Sequence, residues 1–278
     1  MTSTLGHTRS TRDGTELAYD DRGRPGRDAL VLLHSLGADG RMWDACVDLL
    51  QQEHRVIVPD TRGHGASGPT TETSADLWVH DLHDVLQAAG ADRVVLVGVS
   101  LGGIQALTYA AAHPETVVGI VVADSFAALP PDIADAKIAN LVDQARQQPM
   151  ALVADQYVAD TFEEPYPPGA EQVRRALAAI DSDSYAAAVE ACFGARIEDR
   201  LAHVTSPALV LWGDRDAKTP RPLSERIVAG LPDTRLAVVP DAGHLSNVDN
   251  PEGFVALVAA FEAELTARPG LARPEGGH

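Results

Sequence analysis

Gly98-Val-Ser100-Leu-Gly102 follows the apolar run Arg93-Val-Val-Leu-Val97 and leads straight into Leu101-Gly-Gly-Ile-Gln-Ala-Leu-Thr-Tyr-Ala110. The pattern predicts a strand, a sharp turn with a serine at its apex, and a helix. Glycines at 98 and 102 suit such a turn, because it presses strand and helix backbones together and leaves no room for Cβ. The serine takes a strained backbone conformation that lifts Oγ over the sheet edge, and the helix beginning at Leu101 aims its unpaired N–H groups at the same point. The plain alternative is a tight turn with an idle hydroxyl, so the weight falls on whether partners exist elsewhere.

Working outward, the chain alternates apolar runs with helical patterns. Ala29–Leu33, Arg55–Val58, Arg93–Val97, Val117–Ala123, Ala208–Trp212 and Arg235–Val239 are continuous rather than alternating. Such runs imply strands covered on both faces, hence a parallel sheet sandwiched by helices. Glu16–Asp20 does alternate and follows Asp13-Gly14, which predicts an antiparallel hairpin at the sheet edge. Asp76–Ala89 and Pro251–Ala267 carry helical spacing, the latter opening on proline. The fold class is therefore α/β: a mostly parallel, twisted sheet covered by helices.

One stretch breaks the alternation. From about Phe126 to His203 only helical segments appear (Ala134–Gln147, Ala170–Ile180, Ser184–Phe193), with the breaker-rich Glu163–Gly169 among them. A helical insertion between two strands reads as a cap roofing a pocket at the strand ends. The expected division is a core over 1–125 and 204–267, a helical cap over 126–203, and a disordered tail over 268–278.

The 278 residues are 45% hydrophobic, enough for one sizeable core. A formal net charge of −18 argues against nucleic-acid partners, whose phosphates need clustered Lys and Arg. Acidity also disfavours a highly anionic substrate unless the few basic residues gather at the pocket mouth. No run reaches the roughly 20 apolar residues of a membrane span, and the first residues lack a secretory segment. Cys46 and Cys192 show neither metal nor redox spacing and read as small buried residues of a reducing compartment. The expectation is a cytoplasmic chain without membrane, metal or cofactor.

A serine nucleophile needs a base, and the base needs an acid to orient it. Strand Ala208–Trp212 runs into Gly213-Asp214-Arg-Asp216, and strand Arg235–Val239 into Pro240-Asp-Ala-Gly243-His244. Serine, acid and histidine thus each fall just past the C-terminal end of a strand, on one edge of a parallel sheet. Asp216 is the chosen acid; Asp214 suits holding the turn, and Asp124 is a third carboxylate on the same edge. A capping or core role is the alternative for His244, and the remaining histidines, His64 among them, read as surface or loop residues. Leu101 N–H is one donor for an oxyanion, with the other expected from the loop His34-Ser-Leu-Gly-Ala-Asp39. Trp43 flanks a motif and could line the pocket or lie in the core.

With these residues in hand, the chain resembles the α/β-hydrolase superfamily over nearly its whole length. Asp60-Thr-Arg-Gly-His-Gly-Ala-Ser-Gly68 is similar to that family's Arg-Gly-x-Gly-x-Ser segment, Gly213–Asp216 to its Gly-x-x-Asp, and Gly243-His244 to its histidine motif. The family's His-Gly-X pattern implies Leu36 as the second oxyanion donor and a bracing role for His34. His34-Ser-Leu-Gly37, Met42-Trp-Asp44 and Pro59–Ser67 resemble 3-oxoadipate enol-lactonases, except that His34 stands where those enzymes carry Asn. The resemblance implies a serine hydrolase that cleaves a small carboxylic ester or lactone with water through an acyl-enzyme. Carbon–carbon bond hydrolysis or perhydrolysis with the same triad, or a non-catalytic ligand receptor on this fold, are the alternatives. Dehalogenase and epoxide hydrolase chemistry is disfavoured, because those relatives need Asp at position 100.

Overall fold

The computed structural model describes residues 4–24 and 28–268. Eight strands form one sheet: β1 (Thr4–Arg9), β2 (Glu16–Gly23), β3 (Asp28–Leu33), β4 (Arg55–Pro59), β5 (Arg93–Val99), β6 (Val117–Ala123), β7 (Ala208–Gly213) and β8 (Thr234–Val239). Their order is β1-β2-β4-β3-β5-β6-β7-β8, antiparallel through β1, β2 and β4 and parallel from there to β8. The expected edge hairpin and the parallel remainder are both present.

Eleven helices lie among the described residues. On the core are α1 (Asp44–Leu50), α2 (Ala75–Ala89) and α3 (Leu101–Ala112). Between β6 and β7 come α4 (Pro131–Gln147), α5 (Met150–Thr161), α6 (Ala170–Ala179), α7 (Ser182–Phe193) and α8 (Glu198–Leu201), with no strand among them. Then follow α9 (Arg221–Gly230), α10 (Ser246–Asp249) and α11 (Pro251–Ala267). Helix α5 is an addition to the helices that the sequence predicts. Its apolar residues are too evenly spread around the helix to show one face, and its start is fixed by Pro149 rather than by a polar cap.

Strands β3, β5 and β6 are buried almost throughout, as continuous apolar runs require, and two apolar clusters fill the two sides of the sheet. β8 departs from that expectation. It is the outer strand with only β7 beside it, and most of its residues, Val238 at 40% among them, remain partly exposed. Of the two places open to Trp43, the core is the one it takes: it is wholly buried and packs on Phe254. The expected tail falls almost entirely outside the described residues. Its first member, Arg268, pairs with Asp233.

Because all parallel strands share one direction, β3, β5, β6, β7 and β8 deliver their following loops to the same rim. No helix among the described residues is long and apolar enough to cross a membrane.

Candidate active site

Ser100 caps α3 with φ 56 and ψ −113, a left-handed backbone that costs on the order of 1–3 kcal/mol for a residue with a Cβ. Neighbouring backbone enforces it. A Cβ at position 98 would run into the Gly102 carbonyl, and one at 102 into the Leu33 carbonyl. Strand and helix therefore approach as closely as two backbones can, and Ser100 takes the resulting corner. Ser100 N–H donates to Ala123 O at 2.9 Å and Ser125 Oγ donates to Ser100 O at 2.7 Å, fixing the corner to the end of β6.

The structure brings the three sequence-selected side chains together. Ser100 Oγ lies 3.1 Å from His244 Nε2, and His244 Nδ1 lies 3.2 Å from Asp216 Oδ2. With Asp216 as a carboxylate, Nδ1 carries the proton and Nε2 is left as the acceptor for the serine hydroxyl. Asp216 is 3% exposed; burial acts to raise its pKa, but His244 and the Thr219 hydrogen bonds outweigh this and hold it at about 2. Its Oδ1 accepts from the N–H groups of Lys218 at 2.8 Å and Thr219 at 3.0 Å, and the Thr219 hydroxyl donates to Oδ2. Asp216 thus stays ionised and fixed in direction. Asp214, the alternative acid, is exposed and its Oδ1 accepts from Ala242 N–H, so it ties the two loops together instead.

Asp124 does something else. Fully buried at positive φ, it accepts from Gly213 N–H at 2.8 Å, and its other oxygen lies 2.5 Å from Ser246 Oγ. Burial, then repulsion from Asp216, pushes its pKa well above the carboxylate range. One side chain at the end of β6 therefore links the loop that carries Asp216 to the helix just beyond His244.

The loop after β3, expected to supply an oxyanion donor, shows a telling gap. Ser35 N–H points at Met42 Sδ at 3.3 Å and Gly37 N–H donates to His64 Nε2 at 3.2 Å, while Leu36 N–H between them has no acceptor among the described residues. Leu101, first in α3, has no carbonyl within its own helix for its N–H. Two imidazoles brace this loop. His34 Nδ1–H donates to Ser35 O at 2.8 Å and its Nε2 accepts from Thr61 N–H at 2.9 Å. His64 Nδ1–H donates to Arg62 O at 3.1 Å, with the ring centroids of His34 and His64 5.1 Å apart. Burial depresses both pKa values, His64 to about 4, so both rings stay neutral.

His64 lies in a loop, as the sequence reading allowed, but not at the surface, since its side chain is 1% exposed. Its partner is Gly37, 27 residues earlier, and only folding shows that contact. Arg62, held at 2.5 and 2.7 Å by Asp81 and at 2.8 Å by Asp13, fixes the loop in which His64 lies. Both cysteines are free and buried, and burial pushes their thiols up to about 12, so neither is a nucleophile at neutral pH. No group of side chains among the described residues has the makings of a metal site. A cleft of about 360 Å³ opens elsewhere, by Tyr19, Asp39 and Asp60, but none of the three residues above lines it, and its Arg22 and Arg41 are already paired with Asp20 and Asp39.

A strained serine between two close-packed glycines, with acid and histidine on neighbouring strand ends of a parallel sheet, defines the hydrolase class of α/β folds. The chain belongs to the alpha/beta hydrolase family, whose model matches residues 30–257. It is 28% identical over 253 residues to 3-oxoadipate enol-lactonase 1 of Acinetobacter baylyi, covering 91% of this chain and 95% of that one. Among solved structures it resembles a hydrolase from Pseudomonas aeruginosa PA01 (TM-score 0.84, 31% identity, 93% and 98% of the two chains). A thermophilic esterase from Thermogutta terrifontis is also similar (TM-score 0.83, 26% identity, 95% and 99%).

Proposed function

We propose that the protein is a serine hydrolase that cleaves a small carboxylic ester or lactone through an acyl-enzyme, with α4 to α8 acting as a cap over the site. The observation that carries this is the continuous chain Ser100 Oγ, His244, Asp216 at 3.1 and 3.2 Å, together with the Leu36 and Leu101 N–H groups, which have no acceptor among the described residues. Ser100 Oγ attacks the carbonyl carbon as its proton passes to His244 Nε2, and the imidazolium is stabilised by Asp216. The carbonyl oxygen, now negative, is held by Leu36 and Leu101 N–H. Collapse expels the alcohol, which takes the proton from Nε2. Water then attacks the acyl-enzyme with His244 again as base, releasing the acid and restoring Ser100.

Esterase and lactonase relatives support the reaction class. Carbon–carbon hydrolysis and perhydrolysis use the same groups and differ only in what the cap admits. The two unpaired cysteines suit a cytoplasmic setting.

Ser100→Ala tests the reading on p-nitrophenyl acetate. A fall in kcat of about 1,000-fold or more is expected, with loss of labelling by a fluorophosphonate. Undiminished turnover by that variant sinks the proposal.

A further inference from the structure

The chain contains 22 basic residues, of which only two are lysines, Lys137 and Lys218. Each sits against an aromatic ring of the helices inserted between β6 and β7. Lys218 follows Asp216 by two residues, and its Nζ sits 4.9 Å from the centre of the Tyr157 ring on α5. Burial pushes the Tyr157 hydroxyl up to about 12, and Ser35, in the loop after β3, is near enough to act against that rise. Lys137, on α4, holds its Nζ 5.5 Å from the centre of the Phe193 ring on α7. Phe193 stacks on Phe126 at 6.0 Å and 7°, and Phe126 adjoins Ser125, which is bonded to Ser100. Each ammonium is therefore mounted on an aromatic wall that leads down to the nucleophile.

Most arginines of this protein are in ion pairs, yet neither lysine has a carboxylate within 4.0 Å among the described residues. Asp160 and Asp216 act on Lys218 only at longer range, and Lys137 is close enough to repel it. Both side chains are half-buried. Holding two like charges near each other, partly out of water and without a counter-ion, costs energy that a bound anion would return. The arrangement stands out further in a chain of net charge −18, whose overall field repels anions.

We propose that Lys137 and Lys218 are specificity-determining residues that receive a carboxylate carried by the substrate, away from the carbonyl that Ser100 attacks. The inference rests on the reading of Ser100 as nucleophile, and it narrows the substrate class to anionic esters or lactones. Lysine suits this role, because a compact, rotatable point charge on a flexible stem can follow a carboxylate whose position shifts as the acyl-enzyme forms.

The test compares mono-p-nitrophenyl glutarate with p-nitrophenyl butyrate, and 4-carboxyphenyl butyrate with phenyl butyrate. The enzymes are wild type, Lys137→Met, Lys218→Met and the double variant, since methionine keeps a stem on the ring and removes only the charge. At least one anionic ester is expected to exceed its neutral counterpart by 10-fold or more in kcat/KM. That ratio should fall at least 10-fold in the double variant, through KM, and shrink in wild type as salt is raised. A wild-type ratio near one for both pairs, or a ratio the double variant leaves unchanged, overturns the inference while Ser100 chemistry stands. If wild type turns over none of the four esters, the nucleophile reading falls instead. Calorimetric binding of glutarate, retained by wild type and lost in the double variant, then still supports the lysine pair, and equal binding by both overturns it.

Discussion

Three imidazoles lie on the same rim and are put to opposite uses. His244 has a carboxylate on one nitrogen and a hydroxyl on the other, so a proton gained at Nε2 is immediately balanced by Asp216. His34 and His64 have no such partner. Each spends its Nδ1 proton on a backbone carbonyl and offers Nε2 to a backbone N–H, a pattern that works only while the ring is neutral. The difference teaches that the neighbours, not the residue type, decide whether a buried histidine is placed to act as a base or only as a brace.

The largest expected effect breaks the first half of that comparison. In Asp216→Asn the side chain keeps its shape, but the carboxylate that fixes the Nδ1–H tautomer of His244 is gone. A fall in kcat of about 10,000-fold is expected, the size seen when the corresponding acid of a serine-protease triad is amidated. Circular dichroism and the unfolding midpoint should stay near wild type. A loss of less than tenfold would mean that another group, Asp124 being the nearest in kind, orients the ring.

The second half is sharpened by pH. The folded-state pKa of His64 lies at about 4, below the ordinary 6.5. As pH falls the unfolded chain therefore takes up the proton first. The contribution is full above about pH 6.5, drains between 6.5 and 4, and amounts to about 3 kcal/mol once lost. His34, whose pKa is also depressed by burial, adds in the same direction. Denaturant titrations at pH 7 and pH 4.5 should show that His64→Gln, which offers an amide oxygen to Gly37 and does not titrate, loses much less stability on acidification than wild type. Equal losses in the two proteins would show that the His64 proton is not what the loop depends on.

How much of this is legible in the sequence follows from the range of each interaction. The corner at Ser100 can be read because its main cause is local: Gly98 meets Gly102 within one strand–turn–helix unit, and only the Leu33 carbonyl against Gly102 comes from another strand. Asp216 and His244 can be placed because parallel strands deliver their ends to one rim, whatever the spacing along the chain. His64 cannot, since its burial depends on Gly37 across 27 residues and on Arg62 being gripped by Asp81 and Asp13. The signal that could flag it is the nearby arginine, a charge that an apolar neighbourhood tolerates only when fully paired. The inserted helices are visible as helices but not as walls. Which face of α5 carries Tyr157 toward Lys218 is set by tertiary packing, and the helix has too weak an apolar stripe to announce it. The exposure of β8 is likewise hidden, because its apolar pattern is that of an inner strand and only the sheet order makes it an edge.

The smallest expected effect concerns Asp124, where brace and base meet. Its carboxyl accepts from Gly213 N–H and pairs with Ser246 Oγ, so it joins the Asp216 loop to the segment after His244 without a bond to either of those two side chains. Asp124→Ala leaves a buried N–H and a buried hydroxyl without partners, which costs about 1–3 kcal/mol of stability. Asp124→Asn keeps an oxygen for Gly213 and places an amide beside Ser246, and it removes the charge that burial and Asp216 already disfavour. Asn should therefore recover most of the stability that Ala loses, and its kcat should stay within a few-fold of wild type. If Asn instead proves as damaging to kcat as Asp216→Asn, the negative charge at 124 takes part in setting His244. The clean separation of orienting acid from structural acid would then have to be abandoned.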